Sequence, residues 1–254
     1  MRWLTRHIYA AALSLAVAFA QSQTVDGVRS SAVQGFAPAQ YTLGFMYANG
    51  RGLPKDDTEA VKWFRLAAEQ GHASAQYNLG FMYANGRGLP KDDVAAFKWI
   101  RLSAFQGYAP AQSDLGFIYA NGKGVPKNDA EGVKWYRLAA AQGEMRAQFD
   151  LAVMHHKGRG VPKDDAEAVK WYRLAALQGS AAAQSDLGVM YYEGKGVPKD
   201  LVHAHAWWSI AGAKGFSEAK RNLAIVEKEM TSEQKTESMK LAQEMSARKD
   251  TKKK

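Results

Sequence analysis

An interval of 36 residues recurs through most of this chain. Five tryptophans stand at that interval: Trp63, Trp99, Trp135, Trp171 and Trp207. Five prolines share the same step: Pro54, Pro90, Pro126, Pro162 and Pro198. So do six glycines: Gly35, Gly71, Gly107, Gly143, Gly179 and Gly215. An unbroken period of this length is typical of a solenoid of stacked supersecondary units and argues against a globular enzyme core.

Each unit contains two segments with the helical period. In the first copy, the segment from Ala37 to Asn49 places Leu43, Met46 and Tyr47 at steps of three and four. Gly44 follows Leu43, and a small residue recurs at this position in every copy. Because glycine is unfavourable inside a helix, its recurrence indicates that a neighbouring helix backbone comes close.

The second segment extends from about Asp57 to Gln70 and carries one apolar stripe with Trp63 and Phe64 at its centre. The turn between the two segments, residues 50–56, combines glycines that permit a left-handed helix end, a proline, and an acidic residue suited to cap the next helix. We therefore predict an all-α fold, an α/α solenoid of stacked helix-turn-helix repeats with a superhelical path.

The amino terminus departs from the period. Arg2 and Arg6 precede a short apolar run, and Ala18-Phe19-Ala20 has small residues at the positions that determine cleavage. This pattern predicts a signal peptide over residues 1–20, cut after Ala20, and hence a periplasmic or secreted protein. Retention of the leader as an anchor is the alternative, and no later stretch is long and apolar enough to cross a bilayer.

The rest of the chain divides into four predicted regions. Thr231 begins a helix-capping pattern outside the repeat, and Met239, Ala242 and Met245 on that helix are expected to cover the last exposed core face. The predicted regions are a linker at 21–35, a solenoid at 36–230 with five full repeats and a sixth first helix, a capping helix at 231–247, and a basic tail at 248–254.

The chain is basic, with a formal net charge of +9, and contains no cysteine. A basic protein attracts polyanions, but export disfavours nucleic acid and leaves anionic glycans, membrane surfaces or acidic proteins as partners. Two rows of cations recur, one including Lys62 and Arg65 on the second helix and one including Arg51 and Lys55 in the turn. The alternative is that these residues only solvate the surface, since Glu59 can pair with Lys62.

One repeat family shares these motifs. The run Ala39-Gln40-x-x-Leu43-Gly44-x-Met46-Tyr47 is followed by Gly50-x-Gly52-x-Pro54-x-Asp56 and then by Ala60, Trp63 and Ala67-Ala68. This pattern resembles the Sel-one-like repeat of bacteria, a relative of the tetratricopeptide repeat, over roughly residues 36–230. The resemblance implies an α/α solenoid whose first helices line a concave face, with a role as adaptor or scaffold for contacts between proteins.

Some members of that family are cysteine-rich and have been described as β-lactamases or penicillin binders. This chain lacks cysteine, and no Ser-x-x-Lys unit recurs in its repeats to activate a nucleophile. We therefore predict no enzyme, no catalytic residue and no cofactor, and keep β-lactam hydrolysis as a remote alternative. The pairs His155-His156 and His203-x-His205 point to different helix faces, so no metal site is predicted.

Positions beside each Leu-Gly pair are expected to face the groove. The candidates for ligand binding are Tyr41, Phe45, Tyr77, Asn78, Phe81, Asp114, Phe117, Arg146, Phe149, Asp150, His156, Asp186 and Tyr192. Aromatic anchors beside fixed polar groups predict a trough for a peptide or protein segment. The alternative is that the aromatic residues only pack between successive first helices.

The repeats also differ from one another. The first two are nearly interchangeable, since residues 43–57 and 79–93 are identical. The fourth deviates most, at Met145, Arg146, Phe149, Asp150, His155, His156 and Lys157. We predict an exported interaction module that regulates or scaffolds an envelope or signalling protein. The alternative partner is an anionic glycan or membrane surface bound by the basic rows.

Overall fold

The structure, a computed structural model, describes residues 24–251, with side chains up to residue 247. This part of the chain contains thirteen helices and no strand. The first seven are α1 (Val25–Val33), α2 (Ala37–Asn49), α3 (Asp57–Glu69), α4 (Ala73–Asn85), α5 (Asp93–Phe105), α6 (Ala109–Asn121) and α7 (Asp129–Ala141). The others are α8 (Met145–Lys157), α9 (Asp165–Gln178), α10 (Ala181–Glu193), α11 (Leu201–Ala213), α12 (Ser217–Val226) and α13 (Ser232–Thr251). The predicted all-α fold of helix-turn-helix repeats is confirmed.

The described residues divide into two compact units. Unit 1 comprises the residues up to 111 together with 123–125, and unit 2 comprises 112–122 and the residues from 126 onward. In unit 1, each helix from α1 to α4 packs against the next helix in sequence. In unit 2, the same holds for each helix from α7 to α11, and α13 packs on α11 with a smaller contact to α9. The antiparallel helix pair is therefore the building block of both units.

The turn chemistry that the sequence repeats sets the helix bounds. Asp56 caps α3, because its carboxylate accepts hydrogen bonds from the backbone N–H groups of Thr58 and Glu59 at 2.9 and 3.0 Å. Helix α2 ends at Gly50, whose φ of 67° lies in the left-handed region. Further along the same type of turn, Gly88 (φ 70°) passes so close to α3 that a Cβ at this position would overlap the carbonyl group of Asp57.

The small residue after each buried leucine makes room for a large side chain of the paired helix. A Cβ at Gly44 would lie 2.8 Å from the ring of Phe64, and one at Gly116 would lie 2.7 Å from the ring of Tyr136. Backbone approaches less closely, with the carbonyl oxygen of Ala60 at 3.2 Å from the Gly44 Cβ position. The neighbour expected at this point is therefore chiefly a side chain, and backbone comes second.

Glutamine pairs link the two helices of one repeat in each unit. Gln70 donates to the side-chain oxygen of Gln40 at 2.7 Å, and Gln178 does the same to Gln148. Buried Gln40 in turn donates to the carbonyl oxygen of Ala32 at 3.2 Å. Each buried amide thus has partners on both sides, as burial of a polar group requires.

The amino-terminal segment corrects one expectation. Residues 21–35 were predicted to be a linker, but they contain helix α1, capped by Thr24 through a 3.1 Å hydrogen bond from the N–H of Gly27. Val28 and Ala32 are buried against α2. A terminal repeat has no preceding neighbour, so a short amphipathic helix covers the face that would otherwise be exposed. The predicted signal peptide, residues 1–20, lies outside the described residues.

Helix α13 lies on the second helix of the fifth repeat. Ser238 is fully buried and Met245 packs against the core, whereas Met239 is 52% exposed. Met239 was expected to face the core. The buried face of the helix contains Ser238 instead, and the next residue, Met239, points away from it. Helix α13 continues to Thr251, into the segment predicted to be a basic tail.

Candidate binding cleft

The thirteen candidate residues fall into both units. Unit 1 holds Tyr41, Phe45, Tyr77, Asn78 and Phe81. Unit 2 holds Asp114, Phe117, Arg146, Phe149, Asp150, His156, Asp186 and Tyr192. All thirteen lie on first helices of repeats, as the period predicts. Their surroundings differ between the two units.

In unit 1, the aromatic candidates contact one another and the adjoining helices. Tyr41 stacks on His72 with ring centroids 4.7 Å apart and lies 5.9 Å from Phe64. Tyr77 meets Tyr108 edge-on at 5.4 Å. Burial raises the pKa of the Tyr41 hydroxyl, the nearby Tyr108 raises it further, and a hydrogen bond with Asn78 lowers it. These contacts fit the packing alternative for most of the unit 1 aromatics, and Phe81 stays 39% exposed.

In unit 2, the first helices of the fourth and fifth repeats enclose a cleft of about 430 Å³. Helices α8 and α10 form its walls, and Tyr172 of α9 closes the back. The lining residues are Phe149, Asp150, Val153, His156, Lys157, Tyr172, Asp186, Val189 and Met190. Four of the predicted site residues, Phe149, Asp150, His156 and Asp186, are thereby brought into one site.

The cleft coincides with a change of residue type at one position of the repeat. The first three repeats have Phe45, Phe81 and Phe117 there, whereas the fourth and fifth have Val153 and Val189. Valine fills less volume than phenylalanine, so space opens between α8 and α10. Sequence analysis missed both valines and Tyr172, although the change from Phe to Val at a 36-residue step is visible in the sequence.

Two carboxylates of the cleft each pair with a buried tyrosine. Tyr136 is hydrogen-bonded to Asp150, and Tyr172 is hydrogen-bonded to Asp186. Both tyrosines come from the second helix that precedes the aspartate, and their side chains are almost fully buried. Desolvation is the main cause that raises the pKa of each tyrosine, and the adjacent carboxylates raise it further.

Burial also dominates the titration of the two aspartates. The pKa of Asp150 is raised to about 6, chiefly by desolvation, while Arg146 opposes the shift. The pKa of Asp186 is raised as well, again chiefly by desolvation, and the hydrogen bond from Tyr172 opposes the shift. The folded protein therefore stabilises the ionised form of both carboxyl groups less well than water does.

Arg146 lies near two carboxylates, those of Asp114 and Asp150. Its Nη1 donates to Asp114 at 2.8 Å, and its Nε lies 3.8 Å from Oδ2 of Asp150, too far for a hydrogen bond. That Oδ2 is buried and has no hydrogen-bond partner. The guanidinium also lies over the ring of Phe117, 5.1 Å from its centroid. Arg146 thus compensates Asp150 only in part.

His156 and Lys157 complete the polar lining of the cleft. Nδ1 of His156 is 2.6 Å from Oδ1 of Asp165, and Lys163 approaches the other oxygen of that carboxylate at 3.4 Å. His156 is thereby tied to the start of α9, and Lys157 is exposed. Tyr192, the remaining candidate, lies outside the cleft lining and is hydrogen-bonded to Glu229.

The basic rows are paired to a large extent. On second helices, Lys62 pairs with Glu59 and Lys170 with Glu167, at 2.5 and 2.7 Å. In the turns, Arg87 forms two hydrogen bonds with Asp57, at 2.6 and 3.1 Å. An anionic surface would have to compete with these internal partners.

Among residues 24–251, no three or more His, Cys, Asp or Glu side chains gather in a way that could hold a metal ion. No helix in this same stretch is both long and apolar enough to span a bilayer.

The fold and the repeat define an α/α repeat protein built from helix pairs. Five segments, at 37–72, 73–108, 109–144, 146–180 and 181–216, match the family described as Sel1 repeat. The chain belongs to the Sel1 repeat family, which confirms the resemblance noted in the sequence. Sel1 repeats generally mediate contacts between proteins.

Solved structures of relatives have the same fold. The chain is 38% identical to c5321, a protective antigen of uropathogenic Escherichia coli with an SLR fold, at a TM-score of 0.81. That match covers 86% of this chain but 47% of the E. coli chain, so this chain spans about half of its length. A Sel1 repeat protein of Oxalobacter formigenes is 36% identical, with a TM-score of 0.71, over 80% of this chain and 78% of that one. No relative was found among proteins of curated function.

Proposed function

We propose that this protein is an interaction module that binds a peptide or protein segment in the cleft of the fourth and fifth repeats, and that it has no catalytic centre. The observation that carries the proposal is the cleft itself, about 430 Å³, lined by apolar side chains with a few polar groups among them. Such a combination is typical of sites that anchor one side chain of a partner and orient it by hydrogen bonds.

The repeat differences support this location. The fourth repeat deviates most from the common sequence, and Phe149, Asp150, Val153, His156 and Lys157 all line the cleft. These five positions follow helical steps and so share one face of α8. Variation on a common backbone is how repeat proteins acquire a particular partner.

Export is part of the proposal. The basic residues and apolar run before Ala20 have the form of a secretory leader, so the partner would be an envelope, periplasmic or extracellular protein. A role as adaptor, scaffold or regulator follows from an interaction module without chemistry of its own. The basic rows offer a second surface for anionic glycans or membranes, but their internal ion pairs make it the weaker candidate.

The test replaces the two cleft valines by phenylalanine, the residue that the first three repeats have at this position. We would select peptides from a displayed random library on the wild-type chain and measure their binding by fluorescence anisotropy. The double variant V153F/V189F should weaken binding at least about tenfold, since the rings would occupy the cleft. Its circular dichroism spectrum and thermal midpoint should stay close to those of the wild type.

The matched control is Phe81→Val in unit 1, which makes the opposite change at the equivalent position. Phe81 is 39% exposed, so this variant should fold and should bind the selected peptides as the wild type does. Equal binding by V153F/V189F and wild type, or failure to select any peptide, would overturn the cleft as the binding site.

A further inference from the structure

We infer that the cleft takes the guanidinium group of an arginine side chain from the partner segment, bound between Asp150 and Asp186 against the aromatic wall of Phe149 and Tyr172. This inference rests on the proposed function, because it names the chemistry of the side chain that the cleft anchors. It follows from charge complementarity and from the shape of the lining. It also follows from the ion pair that Asp186 lacks among the described residues and the hydrogen bond that Oδ2 of Asp150 lacks there.

The charges around the cleft leave negative charge uncompensated. The hydrogen bond of Arg146 goes to Asp114, and its Nε stays 3.8 Å from Asp150, too far for a hydrogen bond. Within the described residues, Asp186 forms no ion pair, and its hydrogen-bond donor is the neutral hydroxyl of Tyr172. His156, which is held by Asp165, and exposed Lys157 both lower the pKa of Asp186, but neither forms an ion pair with it.

Burial makes this imbalance unfavourable. A carboxylate removed from water loses hydration that only a cation or several hydrogen-bond donors can replace. Oδ2 of Asp150 is buried without a hydrogen-bond partner, and the side chain as a whole is 25% exposed. A ligand cation that enters the cleft would approach both acids where water is already largely excluded.

The lining favours arginine over lysine. Phe149 and Tyr172 stand with ring centroids 5.8 Å apart, and Val153, Val189 and Met190 add apolar surface. A guanidinium stacks on aromatic rings while its fork of N–H groups donates to carboxylates, whereas an ammonium is a compact and strongly hydrated charge. Exposed Lys157 lies at the cleft too, where it can donate to the carbonyl groups of the peptide.

The protein provides its own example of this arrangement. The guanidinium of Arg146 lies over the ring of Phe117 and donates to Asp114. Asp114 occupies in the third repeat the position that Asp150 and Asp186 occupy in the fourth and fifth. A ligand arginine between Asp150 and Asp186 would repeat, one repeat further on, the place of Arg146 between Asp114 and Asp150, with Val153 in place of Phe117.

The experiment compares two probe peptides on the mature chain by titration calorimetry or NMR shift changes. One is acetyl-Gly-Leu-Arg-Leu-Gly-amide, and the other has citrulline, which is neutral and nearly isosteric, in place of arginine. We expect the arginine peptide to bind at least about tenfold tighter, since hydrogen bonds to charged groups are the stronger ones. Asp186→Asn should remove that preference, and Asp150→Asn should reduce it.

The control is Glu69→Gln, the same loss of one negative charge on exposed surface in unit 1. It should leave the preference intact, which separates the loss of a local contact from the general effect of making the chain more basic. Equal affinity of the two peptides for the wild type, with binding still lost in V153F/V189F, would overturn the arginine inference while the proposed function stands. Loss of the preference in E69Q as well would also overturn it. If the peptides selected from the library do not bind in the cleft either, the proposed function fails and the inference fails with it.

Discussion

The second and fourth repeats have the same backbone plan but differ in what their first helices present. In the second repeat, Asn78 lies three residues before Phe81, and the preceding second helix has Phe64 at the repeat position of Tyr136. In the fourth, Asp150 lies three residues before Val153, and Tyr136 of the preceding second helix is hydrogen-bonded to the aspartate. The turns, caps and glutamine pairs are shared. The difference teaches that the scaffold and the site are encoded by separate sets of positions within one 36-residue unit.

The shared scaffold predicts equal and large losses in both units when a turn glycine is replaced. Gly88→Ala in unit 1 and Gly160→Ala in unit 2 would each force a Cβ into the backbone of the preceding second helix, at Asp57 or Asp129. Both φ values are 70°, which adds the strain of a left-handed residue. We expect each variant to lose about 3 kcal/mol or more of unfolding free energy.

Urea unfolding followed by circular dichroism measures this loss. The controls are Gly107→Ala and Gly143→Ala, where φ is again positive but no atom lies within 4 Å of the new Cβ. These should lose only about 1 to 2 kcal/mol, the backbone strain alone. A much larger loss for G160A than for G88A would show that the turns of the two units are not equivalent.

The site chemistry predicts a pH dependence that belongs to the fourth and fifth repeats. Because folding raises the pKa of Asp150 to about 6 and also raises that of Asp186, ionisation is harder in the folded state than in the unfolded chain. These two groups therefore lower stability as pH rises from about 4, the unfolded value, through their folded pKa values. D150N should gain roughly 2 kcal/mol relative to wild type between about pH 4 and pH 7.

The charged and titratable groups that act on these acids are Arg146, Glu144, Tyr136 and Asp114 at Asp150, and Tyr172, Glu218, His156 and Lys157 at Asp186. Urea titrations of D150N, D186N and wild type across this range measure the effect. Asn78→Asp places a carboxylate at the same position of the second repeat, where Phe64 replaces the second-helix tyrosine and the nearby hydroxyl is that of Tyr41. It should lose stability as pH rises. A constant difference between D150N and wild type at all pH values would contradict the assignment.

The smallest expected effect again concerns a shared feature. Gln70→Ala and Gln178→Ala both remove a hydrogen bond to the glutamine of the paired first helix and one to a glycine carbonyl. Each should cost about 1 kcal/mol, since both glutamines are exposed and water can replace part of what is lost. Thermal unfolding of the two variants should show equal shifts, and a silent Q70A beside a clearly destabilised Q178A would break the equivalence.

Much of the fold could be predicted from the sequence because each repeat carries its own local signals. Asp56 and Gly50 limit helices through contacts made within a few residues, and the apolar stripe around Phe64 follows from helical spacing. Helix α1 was not predicted, because it occurs once and therefore shows no repeat period. The orientation of Met239 was also predicted wrongly, because α13 lies outside the repeat and has no second copy that would show which of its faces is buried.

The candidate site was predicted only in part. Phe149, Asp150, His156 and Asp186 meet in one cleft, as their shared position on first helices indicates. Tyr41 and Tyr77 occupy equivalent positions yet pack against His72 and Tyr108. Val153 and Val189 were overlooked because they contribute by leaving space, and a residue that makes room has no chemical signature of its own.

The sequence by itself determined the period, the helix pairs, the caps and the membership of the Sel1 repeat family, because these depend on contacts between residues close in the chain. Only the tertiary structure decided which candidate side chains pack and which line a cleft. That outcome depends on volume and solvation between helices 36 residues apart. Only packing shows that Asp150 and Asp186 share one cleft, and burial gives their carboxylates the raised pKa values that distinguish these repeats from the first two.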